Sequence, residues 1–546
     1  MKKLYIYIFG ILSILLTSCG SDFLKEYSQD LARVQSVDDL QELLVGDCLM
    51  PKGYYGIVNS NLRIENYNYI ILHFMSDELQ ENTQITEDPT GDKTFRDMMF
   101  PYFTWQQNVF LDKNGKSTYD TDEDSYWTLA YTAINNCNMV LDGIERFDAK
   151  SDTERERLKR LRGEALYLRA TYYLTLVNLY GKPYTPSSAS TELGVPVKLT
   201  PNVENREFQR ATVAEVYAQI VSDLAQAETC LQDAAEPQSI YHPGIEAVYI
   251  TRSRVALYMQ DWQTAVDYAK KALDKDDYLM DLSTLGEDEY PLSKKNKEVV
   301  FSNGSSCFGN IIFAKPKKTS WEDCSPRWIV SEDLYRLYDD KDYRKTTYIT
   351  TEDDVTNNLP TYHKVDNSVD SYGKYKDVSD VFAIRTAEAY LNMAEAEAEL
   401  GNDGDACTWL NKLRQTRIQG GGAVQLSGAD LISFIRDERE RELCFEGHRW
   451  FDLRRYMVDE KYPYTKEIIH SMTYFVNRHY TDVPHRIDRY KLELNDGAYT
   501  LDIPKKEKDF QPSLGSNVRP ARPIYRSDDV KDDGGDDGDD DGDDDY

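Results

Sequence analysis

The densest run of chemically capable side chains lies late in the chain. Glu438, Arg439, Glu442, Glu446, His448, Arg449, Asp452, Arg454 and Arg455 crowd into one segment. Glu442 and Glu446 share a helical face and His448 follows closely, so a metal site is the first chemistry to consider. The spacing does not match the H-E-x-x-H helix of zinc hydrolases, and Gly447 is placed to bend the chain before His448. Interleaved arginine and glutamate predict instead a semi-buried ion-pair network that locks the last helices together. Arg162, Arg169, Glu388 and Glu395 fall under the same reading, pairing along or between helices.

Other catalytic signatures are missing. The sequence contains no G-x-S-x-G, no phosphate-binding loop and no dinucleotide fingerprint. With 95 Asp and Glu residues, some carboxylate pair must fall at glycosidase spacing by chance, so that criterion decides nothing. The expectation is a protein that is not an enzyme, with no cofactor and no metal.

The elements that hold these residues are helical from about residue 126 onward. From Arg155 to Leu179, apolar residues recur at Leu158, Leu161, Ala165, Leu168, Tyr172, Leu176 and Leu179, until Gly181 and Pro183 stop the helix. Pro183 to Pro201 reads as a long extended connection. Thr212 and Glu215 then form a capping box ahead of a stripe at Val213, Val216, Ile220, Leu224, Ala227 and Leu231. Two helix pairs follow, Arg252–Met259 with Asp261–Leu273 and Ala383–Leu400 with Asp403–Arg417. Their tight turns and small residues (Ala256, Ala265, Ala269, Ala272) suit tetratricopeptide-like hairpins. Residues 48–125 and 278–380 are irregular and aromatic-rich, and are expected to be loops or small strands on which sites sit. Alternation at Tyr67 and Tyr69, near Tyr54 and Tyr55, suggests a strand or a partner-facing surface.

The 546 residues carry a net charge of −31. This opposes phosphate-backbone binding, which needs a basic footprint, so nucleic acid is set aside as a partner. Residues 528–546, with twelve Asp and one Lys, read as a disordered acidic tail. Its Asp537, Asp539, Asp541 and Gly542 imitate the start of a calcium loop without the closing Glu or flanking helices. At the other end, residues 1–18 have the charged, apolar and small-residue regions of a signal peptide. Leu16-Thr17-Ser18-Cys19 resembles a bacterial lipoprotein box, which implies acylation of Cys19. No later run is long and apolar enough to span a bilayer. Seven scattered cysteines without C-x-x-C signal neither a disulfide framework nor zinc; a Cys307–Cys324 pair is left open.

Five segments, taken in order behind that box, carry a family resemblance. They are Trp127 to Asn136, Arg162 to Gly181, Arg210 to Tyr217, Ile384 to Ala396 and, most specific, Glu438 to Arg455. Together the chain resembles the SusD/RagB-like outer-membrane lipoproteins of Bacteroidetes, apart from the acidic tail. The resemblance implies a mostly α fold, with four degenerate tetratricopeptide-like helix pairs packed against a loop-rich portion with a few short strands. It implies a single domain over 19–527, in two parts of about 19–240 and 241–527. It further implies a lipid-anchored protein of the outer membrane, exposed at the cell surface, that captures oligosaccharide and passes it to a SusC-like TonB-dependent transporter. A peptide ligand, as in RagB-type members, is the alternative; an anchored glycan-degrading enzyme ranks lower.

A sugar site without catalysis needs flat aromatic faces and polar groups for hydroxyls. The irregular stretches offer Tyr102, Trp105, Tyr290, Trp321 and Trp328, with Asp77, Asn108, Asn303 and Arg327 as polar partners. Trp105 and Trp321 are favoured, because in the family the two stretches converge on the ligand.

Overall fold

A computed structural model describes residues 36–530 except 50–53, 59–60, 66–69, 86–92, 113–114, 116–125, 238, 287–288, 304–311, 314–325, 352–357, 367–377, 379–382 and 479–480. The expectations for the signal peptide, Cys19, Tyr67, Tyr69, Cys307, Cys324, Trp321 and the calcium-loop imitation fall outside these residues.

The first helices are short: α1 (Val37–Leu43), α2 (Ile70–Met75) and α3 (Lys93–Phe103). Two of them lie inside the stretch expected to be loops. Long helices begin with α4 (Tyr126–Arg146) and α5 (Asp152–Tyr180), the latter started by the Ser151 side chain accepting from the Glu154 amide. From Gly163 onward α5 is buried almost all the way round, which makes it the central rod of this half. The Thr212–Glu215 capping box opens α6 (Val213–Leu231), whose buried residues include the whole expected stripe.

Helices α7 (Ile245–Tyr258) and α8 (Trp262–Lys275) form one hairpin. After the short α9 (Glu332–Arg336), α10 (Thr386–Leu400) and α11 (Asp403–Gln415) form another, turned by Gly401 in the left-handed region at φ 86°. Two last helices, α12 (Gly428–Leu443) and α13 (Arg449–Met457), carry the charged segment. Successive helices stack α4 on α5, α5 on α6, α7 on α8, α8 on α10, and α10 on both α11 and α12. Ala256, Ala265, Ala269 and Ala272 are buried at these crossings. The fold is mostly α.

Most strands are short. A hairpin joins β1 (Tyr54–Val58) to β2 (Asn61–Glu65). Antiparallel pairs join β3 (Leu79–Glu81) to β5 (Trp328–Val330), β4 (Val299–Phe301) to β8 (Ile384–Arg385), and β6 (Ile349–Thr350) to β7 (Thr361–Tyr362). The largest sheet of the described residues is a long hairpin, β9 (Ile468–Arg478) with β10 (Thr481–Leu492), plus β11 (Arg526–Asp529) on the β10 edge. In that edge strand Asp528 pairs with Ile487 in the ladder and with Arg489 and Arg526 through its carboxylate.

Gly163 sits where α5 meets the end of α6. A Cβ there would lie 2.6 Å from Leu231 Cγ and 2.9 Å from Cys230 Cβ. Gly163→Val is therefore expected to lower the unfolding free energy by about 1–3 kcal/mol, measured by chemical denaturation. An unchanged midpoint would contradict the close crossing.

Candidate functional site

The glutamates and arginines of α12 are buried, not solvated. Glu442 is 0 % exposed. Its carboxylate accepts from Arg417 at 2.9 and 3.0 Å, Arg385 at 3.0 Å, Arg344 at 3.0 Å and the Tyr348 hydroxyl at 2.9 Å. Glu446 accepts from Arg385 at 2.7 and 2.9 Å and from Lys364 at 2.6 Å. Glu438 takes Arg344 at 2.7 Å, Arg441 at 2.7 Å and Arg414. Glu298, before β4, bridges Arg385 and Arg417 at 2.8 Å each. Burial alone would raise the Glu442 carboxyl, but the adjacent guanidiniums of Arg417, Arg385 and Arg344 hold it well below the usual range.

This is the expected ion-pair network, more buried than expected. The chain leaves α12 with Phe445 at φ 58° and Gly447 at φ 81°. The bend before His448 is therefore real, and Glu446 turns back toward Lys364 and Arg385 while His448 goes elsewhere. Burial, then the guanidiniums of Arg254 and Arg439, push the His448 imidazole down into its neutral form. Among the described residues no group of three or more His, Cys, Asp or Glu is placed to hold a metal ion.

The other expected pairs also run between helices. Arg169 grips Asp223 bidentately at 2.7 and 2.8 Å, and Arg254 grips Glu388. Arg455 joins Glu395 to Asp452, which also holds Arg439. Arg162 differs, pairing with Glu145 at the surface.

Most of the described residues expected to form a sugar platform are buried. Trp105 is 0 % exposed, donates its indole N–H to the Met75 carbonyl at 2.9 Å, and stacks on His470 at 4.3 Å. Trp328, in β5, is enclosed edge-on by Phe74 and Phe103 at 4.9 Å each, and Tyr102 is buried in α3. These three aromatics are core, because α2 and α3 wrap around them where loops were expected. Arg327 is buried against Glu81 with its guanidinium over Phe475. Asn108 is exposed but serves its own turn, accepting from the Phe110 amide at 3.0 Å. Asn303 is half-buried; its Oδ1 finds no partner among the described residues, and the residue lines a cavity of about 30 Å³ shared with His448 and Tyr258. Tyr290 is half-buried, its ring 5.2 Å from that of His363.

Asp77 is also buried, yet it leads to an open site. It receives Arg449 bidentately at 2.7 and 2.8 Å and Lys466 at 2.6 Å, and these two cations hold its carboxyl far below the usual range despite burial. Arg449 reaches Glu440 as well, at 2.8 Å. On the far side of this hub lies a cleft of about 460 Å³ between α9, α12 and the loop after α13. This is the size of a small-molecule pocket. Its lining includes Leu337, Ile432, Arg436, Asp437, Tyr462 and Tyr464. Tyr464 is 41 % exposed, and its amide donates to the Tyr456 carbonyl at 2.9 Å, which pins the loop to α13. The sequence marks this loop only by Tyr462-Pro463-Tyr464, an aromatic pair around a proline just after the charged segment.

Comparison with known proteins places the chain. A family model described as "Starch-binding associating with outer membrane" matches residues 45–257, and the SusD family model matches residues 229–519. The chain belongs to the SusD family. Among its relatives, SusD-like protein P25 of Formosa agariphila is 24% identical, over 84% of this chain and 90% of that protein. A SusD-like carbohydrate binding protein from Bacteroides vulgatus superposes with a TM-score of 0.62 at 23% identity, covering 89% of this chain and 98% of its own. Surface glycan-binding protein A from Bacteroides uniformis gives 0.60 at 17% identity, with 88% and 100% covered.

Two buried carboxyls set a pH dependence. Burial, then Asp459 and Glu395, push Glu399 up to about 8; burial, with Asp77 adding, pushes Glu440 to about 8 against the pull of Arg449. An unfolded glutamate ionises at about 4.3. Between those values the folded chain keeps protons that the unfolded chain has released, so stability falls as pH rises through this window. Unfolding free energy is expected to decline from pH 6 to pH 9, and Glu399→Gln to flatten that decline. Equal slopes for both proteins would contradict the assignment.

Proposed function

We propose that this chain is a lipid-anchored, surface-exposed glycan-binding protein of the outer membrane that hands oligosaccharide to a SusC-like TonB-dependent transporter without cleaving it. The observation that carries this reading is the pair of family matches, which together run from residue 45 to residue 519, one of them described as starch-binding and outer-membrane-associated. The signal peptide and the lipoprotein box at Cys19 support the anchoring. No described helix is long and apolar enough to cross a membrane, which fits attachment through lipid. The candidate carboxylates of the charged segment are consumed in ion pairs, which supports binding over catalysis. Tyr290 and Trp321 stay candidates for ligand contact.

The soluble form beginning after Cys19 is expected to bind at least one oligosaccharide of a glycan array, with affinity weakened by Trp321→Ala and no product formed on prolonged incubation. Uniform absence of glycan binding, with peptide found bound by mass spectrometry, would move the protein to the peptide-binding reading.

A further inference from the structure

The cleft beside Asp77 has a charge pattern that selects among ligands, and the argument rests on the glycan-binding reading above. Every cation lining it is already held. Arg449 is shared by Asp77 and Glu440, Lys466 by Asp77 and Asp333, Arg436 by Asp459 at 2.9 Å, and Arg336 by Glu332. The unmatched groups are of the opposite kind. Asp437 makes no hydrogen bond or ion pair with any described residue, although it is only partly exposed. The hydroxyls of Ser433, Tyr462 and Tyr464 are likewise without described hydrogen-bond partners.

We infer that this cleft binds a neutral sugar unit, with Asp437 accepting from ring hydroxyls and Tyr462 and Tyr464 supplying the apolar surface, and that it rejects uronate and sulfate groups. A carboxylate only accepts, with two oxygens spaced to take neighbouring hydroxyls of a diol. Phenol hydroxyls and Ser433 can donate or accept, which suits the rest of a sugar's rim. Tyrosine adds rigid area at small rotamer cost. An acidic sugar would meet Asp437 directly. To pair with Arg449 or Arg436 it would have to separate that cation from a carboxylate inside the protein, leaving a charge buried and unpaired. The net charge of −31 adds repulsion of polyanions at low salt. Burial raises the Asp437 carboxyl, with nearby Arg441, Arg449 and Lys466 opposing, so a hydroxyl donor that satisfies it relieves a standing cost.

The test uses the soluble form after Cys19 and isothermal titration against two sets of probes. Maltoheptaose, laminarihexaose, xylohexaose and mannohexaose represent neutral chains; oligogalacturonate and chondroitin sulfate represent acidic ones. At least one neutral probe is expected to bind and neither acidic probe to do so, with Asp437→Asn and Tyr464→Ala each lowering affinity by about tenfold. Thermal midpoints should not fall for Asp437→Asn, because its carboxylate makes no hydrogen bond to the described residues of the fold. Binding of an acidic probe overturns the inference. Neutral-sugar binding unchanged by both substitutions overturns it while leaving the glycan-binding reading intact, and absence of binding to every sugar removes both.

Discussion

The buried carboxylate of Glu442 is the contact on which the rest of this structure depends. Three guanidiniums from three separate segments, Arg344, Arg385 and Arg417, converge on it, and the Arg385 guanidinium continues to Glu446. Those segments are far apart in sequence, so one side chain on α12 ties the start of α10, the end of the α11 region and the loop after α9 into one body. A carboxylate without cationic partners would not stay ionised at that depth. The mutual neutralisation is what lets a charged helix serve as core.

From that anchor the geometry propagates to the cleft. Because Glu446 turns back into the network, the chain must bend at Phe445 and Gly447 before α13 starts. The bend aims Arg449 at Asp77, and Lys466 returns to the same carboxylate after the Tyr462–Tyr464 loop. Asp77 is buried and positions Arg449 and Lys466, two of the cations that line the cleft. The free groups, Asp437 and the two tyrosines, stand in front of a wall whose charge is already cancelled.

Much of the helical fold was legible in the sequence. The 3.6-residue stripe of α6, its capping box, the Gly401 turn and the alanines of α7 and α8 each have a local cause, and each is found as spaced. The network was legible as a type, since interleaved Glu and Arg at helical spacing have few other stable arrangements, but its partners Arg344, Lys364 and Glu298 came from distant segments with no local signal. Three of the platform aromatics are buried for a physical reason. Residues 48–125 lack clean periodicity, and Pro101 inside α3 disguises a helix, so Trp105 and Tyr102 looked like loop aromatics. Trp328 sits in a three-residue strand buried throughout, too short for alternation to reveal it. Asp77 was picked as a polar partner for sugar; whether a lone Asp is a hub or a contact is decided by what reaches it, here Arg449 and Lys466, more than 370 residues away.

Equilibrium unfolding of Glu442→Gln in denaturant tests the central role of that carboxylate most directly. The side chain keeps its shape but loses its charge and exchanges one acceptor oxygen for an NH2 donor, leaving three guanidiniums around a neutral amide. A loss of about 3–5 kcal/mol is predicted, the cost of breaking a buried ion pair on one side. A loss below about 1 kcal/mol, the size expected for an exposed pair, would contradict it.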